Sequence, residues 1–224
     1  MSLPLSLIRD RFIGLDTEYP LASGGVARRR YLDSAASSLM LRPAWETAEA
    51  FLKHYANTHS LLHHGARVAT HACVWAHERA LALVGADPAT YACAFAGSGS
   101  TACFNRIARA LVRLRPERDV VLVSGMEHHS NDLPHRKHAG RVEHIPMTGV
   151  APAFGALDLA VLAARLESNR GRVNYVAITG ASNVTGIVNP LKAVADLVHA
   201  HGAWLVVDGS QLVMHAPVRM ADGI

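Results

Sequence analysis

The chain from about Tyr91 onwards alternates short apolar runs with segments of helical periodicity, and this alternation constrains the fold more than any other feature. Strands are predicted at Tyr91 to Ala96, Val120 to Ser124, Arg141 to Ile145, Val173 to Thr179 and Ala203 to Val207. Helices are predicted at Pro43 to Tyr55, Val68 to Val84, Thr101 to Leu114, Asp158 to Ser168 and Pro190 to His201. Continuous apolar strands joined by helices are typical of parallel sheets. The sequence therefore predicts an α/β fold with a mostly parallel sheet covered by helices on both faces.

The composition of the chain indicates which kinds of partner to expect. Only 18% of the 224 residues are charged and half are hydrophobic, whereas about 25% charged residues is usual. We therefore expect a dimer interface or another segment to cover part of the surface. The net charge is +4, but the basic residues are scattered and no recognised binding motif accompanies them, so nucleic acid is not an expected partner.

The cysteines and the hydropathy pattern bear on location. Cys73, Cys93 and Cys103 are isolated and form no C-x-x-C pair, which favours a reducing compartment and hence the cytoplasm. Residues 1–12 make a poor signal peptide because Pro4 and three charged residues interrupt their apolar pattern. No stretch approaches the ~18 apolar residues of a membrane span, so no membrane partner is expected.

Polar residues follow the predicted strands at the ends where a parallel sheet binds ligands. The segment Gly97 to Thr101 opens a helix, where glycines and free N–H groups favour an anion such as phosphate. An ordinary turn with a capping hydroxyl is the alternative interpretation. The segment Glu127 to Asn131 follows the next strand. One of its two histidines could stack on a flat ring, ligate a metal or remain a polar loop residue.

Two further strand ends carry an amide and a carboxylate. Asn183 lies in the segment Ser182 to Gly186, where a single asparagine is usually a turn residue. Asp208 ends a strongly apolar strand, and a carboxylate is costly there unless a cation or several donors meet it. Taken together, the strand ends fit a phosphorylated, flat, cationic heterocycle better than a nucleotide.

Four segments resemble motifs of the class V aminotransferase and cysteine desulfurase family, which includes proteins similar to selenocysteine lyase. The resemblance runs from about Tyr31 to the end of the chain. The segments are Tyr31 to Ala36, similar to Y-L-D-N-A-A; Met126 to Pro134, similar to E-H-H-S-N-x-x-P; Ser182 to Pro190, similar to S-N-V-x-G-x-x-x-P; and Val207 to Gln211, similar to V-D-G-A-Q. The resemblance implies a pyridoxal 5'-phosphate (PLP) enzyme with the large domain of PLP fold type I.

The resemblance also implies a role for each site residue. Ser100 and Thr101 would hold the PLP phosphate, and His128 would stack on the pyridine ring as a supporting catalytic residue. Asp208 would pair with the protonated ring nitrogen and keep the ring an electron sink. Gln211 would reach the phenolic oxygen.

The resemblance also implies a role for Asn183 and a position for the lysine that would form the Schiff base with PLP. Asn183 would reach either the phenolic oxygen or the substrate carboxylate. Family members place the Schiff-base lysine in an S-G-H-K segment about two dozen residues beyond the position of Asp208. Lys53, Lys137 and Lys192 have no such context.

The resemblance divides the chain and suggests its function. Residues 1–45 would belong to a smaller domain, and residues 46–224 would form the PLP-binding domain, incomplete before the lysine. The expected function is that of a PLP enzyme acting on an amino acid, first a cysteine desulfurase or selenocysteine lyase. A class V aminotransferase and an inert fragment that binds PLP non-covalently or not at all are the alternatives. A homodimer is expected, with a sulfur-acceptor protein as a further partner for a desulfurase.

The fourteen histidines of the chain leave two further interpretations open. A histidine-rich metal protein is a third functional hypothesis, although the histidine pairs lack tetrahedral ligand spacing and carboxylate partners. The histidines of the loop from Asn57 to Arg67, which are His59, His63 and His64, either line a substrate entrance or are solvated.

Overall fold

The computed structural model describes residues 8–149 and 155–224, and the chain divides into two compact units between Ala76 and His77. The first unit contains an antiparallel hairpin of β1 (Glu18–Pro20) and β2 (Val26–Arg28). The hairpin lies in a segment without a predicted strand. The division differs from the predicted domain boundary after residue 45, which stays a prediction.

Two helices are present where the sequence predicts them, but the first ends three residues earlier and the second begins four residues earlier than predicted. Helix α1 spans Arg42–Leu52 and has a proline in its first turn, where the missing N–H group costs no helical hydrogen bond. Helix α2 spans His64–Leu83 and crosses the division between the units. No helix in the described ranges has the length and apolar character needed to cross a membrane.

The second unit alternates helices with strands. Its strands are β3 (Val120–Ser124), β4 (Arg141–Ile145), β5 (Val173–Thr179) and β6 (Trp204–Asp208). Its helices are α3 (Gly99–Leu114), α4 (Leu133–His138), α5 (Leu159–Ser168), α6 (Leu191–Ala200) and α7 (Leu212–His215). Two 3-10 helices complete it at His129–Asn131 and Met220–Asp222.

The four strands form one parallel sheet in the order β4-β3-β5-β6. Every residue of β3 and β5 is buried, because these strands are central and are covered on both faces. On one face Leu122 and Val176 pack with Leu162 of α5 and Val194 of α6. On the other face Val121, Tyr175 and Val206 pack with Phe104 of α3. The predicted fold class is therefore confirmed.

The strand predicted at Tyr91–Ala96 is wrong. These residues pair with no strand in the described parts of the chain, and the side chain of Phe95 is 65% exposed. An apolar run becomes a strand only where a neighbouring strand supplies backbone partners, and hydropathy does not reveal whether such a neighbour is present.

Candidate functional site

The carboxyl ends of β3, β5 and β6 meet at one edge of the sheet. Thr179 at the end of β5 is opposite Asp208 at the end of β6. The N–H group of Gly180 donates to the carbonyl oxygen of Asp208 at 2.8 Å, which extends the pairing by one residue. The turn after Ser124 of β3 lies at this edge too, because the backbone N–H of Thr179 donates to the Glu127 side chain at 2.7 Å. The edge is where the sequence predicts ligand binding.

The loop before α3 has the backbone of an anion cradle. Gly97, Ser98 and Gly99 have φ angles of 66°, 50° and 69°, so three successive residues lie in the left-handed region. Ser98 makes no side-chain capping bond, and a Cβ atom at either glycine would meet no heavy atom within 4 Å. The first turn of α3, with Ser100 and Thr101, therefore has free N–H groups next to open space, which favour a negative charge.

The turn after β3 fixes the ring of His128. His128 caps the 3-10 helix His129–Asn131, and its Nδ1 accepts from the Ser130 N–H at 3.2 Å and pairs with the Ser130 hydroxyl at 2.8 Å. A cavity of about 330 Å³ is lined by both His128 and Thr101. The structure therefore brings together the residue predicted to stack on a ring and one of those predicted to hold its phosphate.

Asp208 is a buried carboxylate with hydrogen bonds but no cation. The residue is 5% exposed, and Oδ1 accepts from the N–H and hydroxyl groups of Ser210 at 2.9 and 2.6 Å. Within residues 8–149 and 155–224, no basic side chain forms an ion pair with it. A buried carboxylate is destabilising unless a cation compensates it, so Asp208 fits the protonated nitrogen of a heterocycle such as PLP.

Glu127 is a second carboxylate, half-buried, to which the sequence motifs assign no role. It accepts from the Asn131 amide at 2.5 Å and from the Ser124 hydroxyl in a very short contact. Burial raises the pKa of Glu127 to about 7, against the effect of these hydrogen bonds, and the charge of Asp208 adds to the increase. The signals for it in the sequence are its position shortly after a predicted strand and its place in the segment similar to E-H-H-S-N-x-x-P.

Two further predicted site residues lie in the loops that follow β5 and β6. Asn183 is exposed in a loop where the hydroxyl of Ser182 accepts from the N–H groups of Val184 and Thr185 at 3.2 Å each. Gln211 is half-buried and occupies the N-cap position of helix α7, where its side chain makes no capping bond. Their predicted contacts to a cofactor stay predictions.

The three lysines considered for the Schiff base have different surroundings. The exposed Lys192 forms an ion pair with Asp196, and Lys53 is the C-cap of α1. Lys137 lines the same cavity as His128 and Thr101, which the sequence did not indicate. Among the described residues, no group of three or more histidines, cysteines or acidic residues could hold a metal ion.

The histidines of the loop before α2 belong to the first unit. His59 has a φ angle of 63°, and the Nδ1 of His63 accepts from the Ala66 N–H at 3.2 Å. The ring of His64 makes an edge-to-face contact with His54 at 5.9 Å between centroids. Their predicted place at a substrate entrance stays a prediction.

Comparison with known proteins identifies the family. Residues 30–223 match the model of the aminotransferase class-V family. The chain belongs to the class-V aminotransferase family. Its similar proteins include a cysteine desulfurase from Pectobacterium atrosepticum, which is 32% identical over 99% of this chain and 53% of the relative. A probable cysteine desulfurase from Halobacterium salinarum is 32% identical over 86% of this chain and 45% of the relative.

Solved structures agree with the family assignment. A cysteine desulfurase from Escherichia coli superposes with a TM-score of 0.72 at 26% identity, over 99% of this chain and 52% of that protein. A cysteine desulfurase from Thermococcus onnurineus gives a TM-score of 0.72 at 25% identity, over 86% of this chain and 46% of that protein. The chain thus spans about half the length of these relatives. Enzymes of this class-V family are PLP-dependent.

Proposed function

We propose that the chain forms the cofactor-binding part of a PLP-dependent enzyme that acts on an amino acid, with cysteine desulfurase or selenocysteine lyase activity. The observation that carries the proposal is Asp208, a buried carboxylate without a cation at the ligand-binding edge of a parallel sheet. PLP has the three features that this edge favours, which are an anionic phosphate, a flat ring and a cationic ring nitrogen.

In this proposal, residues at the carboxyl ends of the strands bind different parts of the cofactor. The N–H groups and hydroxyls of Ser100 and Thr101 bind the phosphate, since the first turn of α3 attracts an anion. His128 stacks on the ring and fixes its plane. Asp208 keeps a proton on the ring nitrogen because its charge is buried and otherwise uncompensated. Bound in this way, PLP supplies an electron sink for carbanion chemistry at the substrate α-carbon.

The remaining contacts of the cofactor and the substrate follow from the same arrangement. Gln211 donates to the phenolic oxygen, and Asn183 reaches either that oxygen or the substrate carboxylate. The exposure of Asn183 leaves it accessible to either group.

The choice of reaction rests on the relatives. The similar proteins from Pectobacterium atrosepticum and Escherichia coli are cysteine desulfurases, which favours sulfur removal from cysteine over transamination. A sulfur-acceptor protein and a second copy of the chain are the proposed macromolecular partners. The three cysteines form no disulfide within the described residues, which supports a reducing compartment such as the cytoplasm.

PLP binding by the chain tests the cofactor proposal. We expect Asp208→Asn to weaken binding by about tenfold or more, because the loss of a buried charge pair costs at least ~1.4 kcal/mol. Asp158→Asn is the matched control, since asparagine also caps a helix and Asp158 caps α5. Equilibrium dialysis measures both affinities. Equal affinity of the Asp208 variant and the unchanged chain would refute the role of Asp208.

The reaction itself is tested on the protein in the form in which its gene expresses it. We expect cysteine to yield alanine and, with a thiol reductant present, sulfide. Formation of a keto acid with an amino group retained on the cofactor would identify an aminotransferase instead.

A further inference from the structure

Four polar side chains connect the centre of the sheet to the turn that carries His128. We call these four side chains the relay. They are Tyr175 of β5, His135 of α4, Asn131 of the 3-10 helix and Glu127 of the turn. Tyr175, His135 and Asn131 have no exposed surface. The Tyr175 hydroxyl lies 2.8 Å from His135 Nδ1, His135 Nε2 lies 3.0 Å from Asn131 Oδ1, and Asn131 Nδ2 lies 2.5 Å from Glu127 Oε2.

The chemistry of the relay fixes the direction of its hydrogen bonds. Asn131 donates to Glu127 from its nitrogen, so its oxygen accepts from the Nε2–H group of His135. Burial lowers the pKa of His135 to about 4, so the ring is neutral near neutral pH. Its Nδ1 then accepts from the Tyr175 hydroxyl. Every hydrogen bond of the relay is therefore directed towards the Glu127 carboxylate.

The two ends of the relay hold the turn in place. At Glu127, the carboxylate also accepts from the Ser124 hydroxyl of β3 and the Thr179 N–H of β5, so it links the ends of two strands. At Asn131, the backbone N–H donates to the carbonyl oxygen of His128 at 2.8 Å. His128 thus lies between two relay members in the chain, and one of them binds its backbone directly.

We propose that the relay is a positioning network for the His128 ring. Asn131 and His135 set the place of that ring over a flat cofactor without touching the cofactor. The inference rests on the proposed function, in which His128 stacks on PLP. A stacking ring requires a fixed plane. A buried hydrogen-bond network makes a turn rigid, because buried polar groups would lose their hydrogen bonds if the turn moved.

The test compares two asparagines of the same unit. Asn131→Leu interrupts the relay, and Asn174→Leu is the matched control. Asn174 is also fully buried, but its amide donates to the carbonyl oxygens of Leu111, Arg115 and Arg118, near the start of β5. Both variants exchange a buried amide for an apolar group of similar size, so both are expected to lose stability.

The first measurement needs no cofactor. The Ser130 N–H donates to His128 Nδ1, so its hydrogen exchange reports whether the turn is held. We expect Asn131→Leu to reduce the protection of this amide by about tenfold and Asn174→Leu to change it by less than about twofold. Unchanged protection in Asn131→Leu, or an equal loss in both variants, would overturn the inference.

The second measurement reports the ring itself. We expect Asn131→Leu to bind PLP about fivefold more weakly and to lose about half of the visible circular dichroism of bound PLP. His135→Gln should retain most of both signals, because glutamine keeps one donor and one acceptor. A wild-type dichroism band in Asn131→Leu would overturn the inference. Absence of PLP binding by the unchanged chain would instead contradict the proposed function, while Ser130 protection still decides whether the relay holds the turn.

Discussion

Two carboxyl groups lie near the ligand-binding edge of the sheet in different surroundings. Asp208 accepts from both the N–H and the hydroxyl of Ser210. Glu127 is half-buried in the turn after β3, and the partial loss of water around it raises its pKa to about 7. We therefore expect Glu127 to exchange a proton near neutral pH.

The proton of Glu127 links stability to pH. Because the folded pKa of about 7 exceeds the ordinary value of 4.5, the folded chain holds the proton over this interval and the unfolded chain releases it. The stabilisation is complete below the ordinary pKa and is lost as pH increases through the folded pKa. We expect a loss of about 3 kcal/mol between acidic and mildly alkaline pH.

Glu127→Gln tests this linkage, because glutamine resembles the protonated acid and does not titrate. Urea unfolding at about pH 5 and about pH 8 should show a smaller loss of stability with increasing pH in the variant than in the unchanged chain. His135 titrates in both proteins, so its contribution cancels from the difference. Parallel pH dependence of the two proteins would show that Glu127 has no raised pKa.

At the scale of elements, Gly180 lies at the junction of β5 with the following loop, where helix α7 leaves little room for a side chain. A Cβ atom at Gly180 would lie 2.7 Å from Leu212 Cδ2 and 3.1 Å from Leu212 Cβ, in helix α7. We expect Gly180→Ala to destabilise the chain by about 1–3 kcal/mol through overpacking. Gly140→Ala is the control, since its nearest contact would be an ordinary 3.5 Å. Similar unfolding midpoints for the two variants would contradict the expectation.

Strands and helices could be predicted from the sequence where the local hydropathy pattern agrees with the burial of the residues. The bounds of β3 and β5 match the prediction because both strands are mostly apolar and are buried on both faces. The predicted strand at Tyr91–Ala96 failed because pairing requires a neighbour that hydropathy does not report. The hairpin of β1 and β2 was missed because its residues are exposed, so no apolar alternation marks it.

The candidate site was predictable in part for a similar reason. Asp208 ends β6 and His128 lies in the turn after β3, so the expectation that ligands bind at the carboxyl ends of parallel strands identifies both residues. The contact between His135 and Tyr175 joins residues that are forty positions apart, and no spacing motif in the sequence indicates it. A buried network of this kind is visible only after the helix has packed on the sheet.

At the scale of the whole molecule, stability should be distributed unevenly across the sheet. The residues of β3 and β5 are completely buried between two core clusters, whereas β6 is an edge strand of the described sheet. An edge strand bonds a neighbour on one side only, so about half of its amides have no strand partner. The two central strands therefore form the part of the second unit that should open last.

Native-state hydrogen exchange tests this order. We expect the amides of β3 and β5 to exchange only through global unfolding, and the amides of Tyr91–Ala96 to exchange much faster. The β6 amides that face away from β5 should have intermediate protection from exchange. The Arg115 guanidinium covers Trp204 of that strand, at 3.4 Å from the ring centroid. Equal protection of β6 and β5 would mean that another segment, from this chain or a second copy, pairs with the β6 edge in solution.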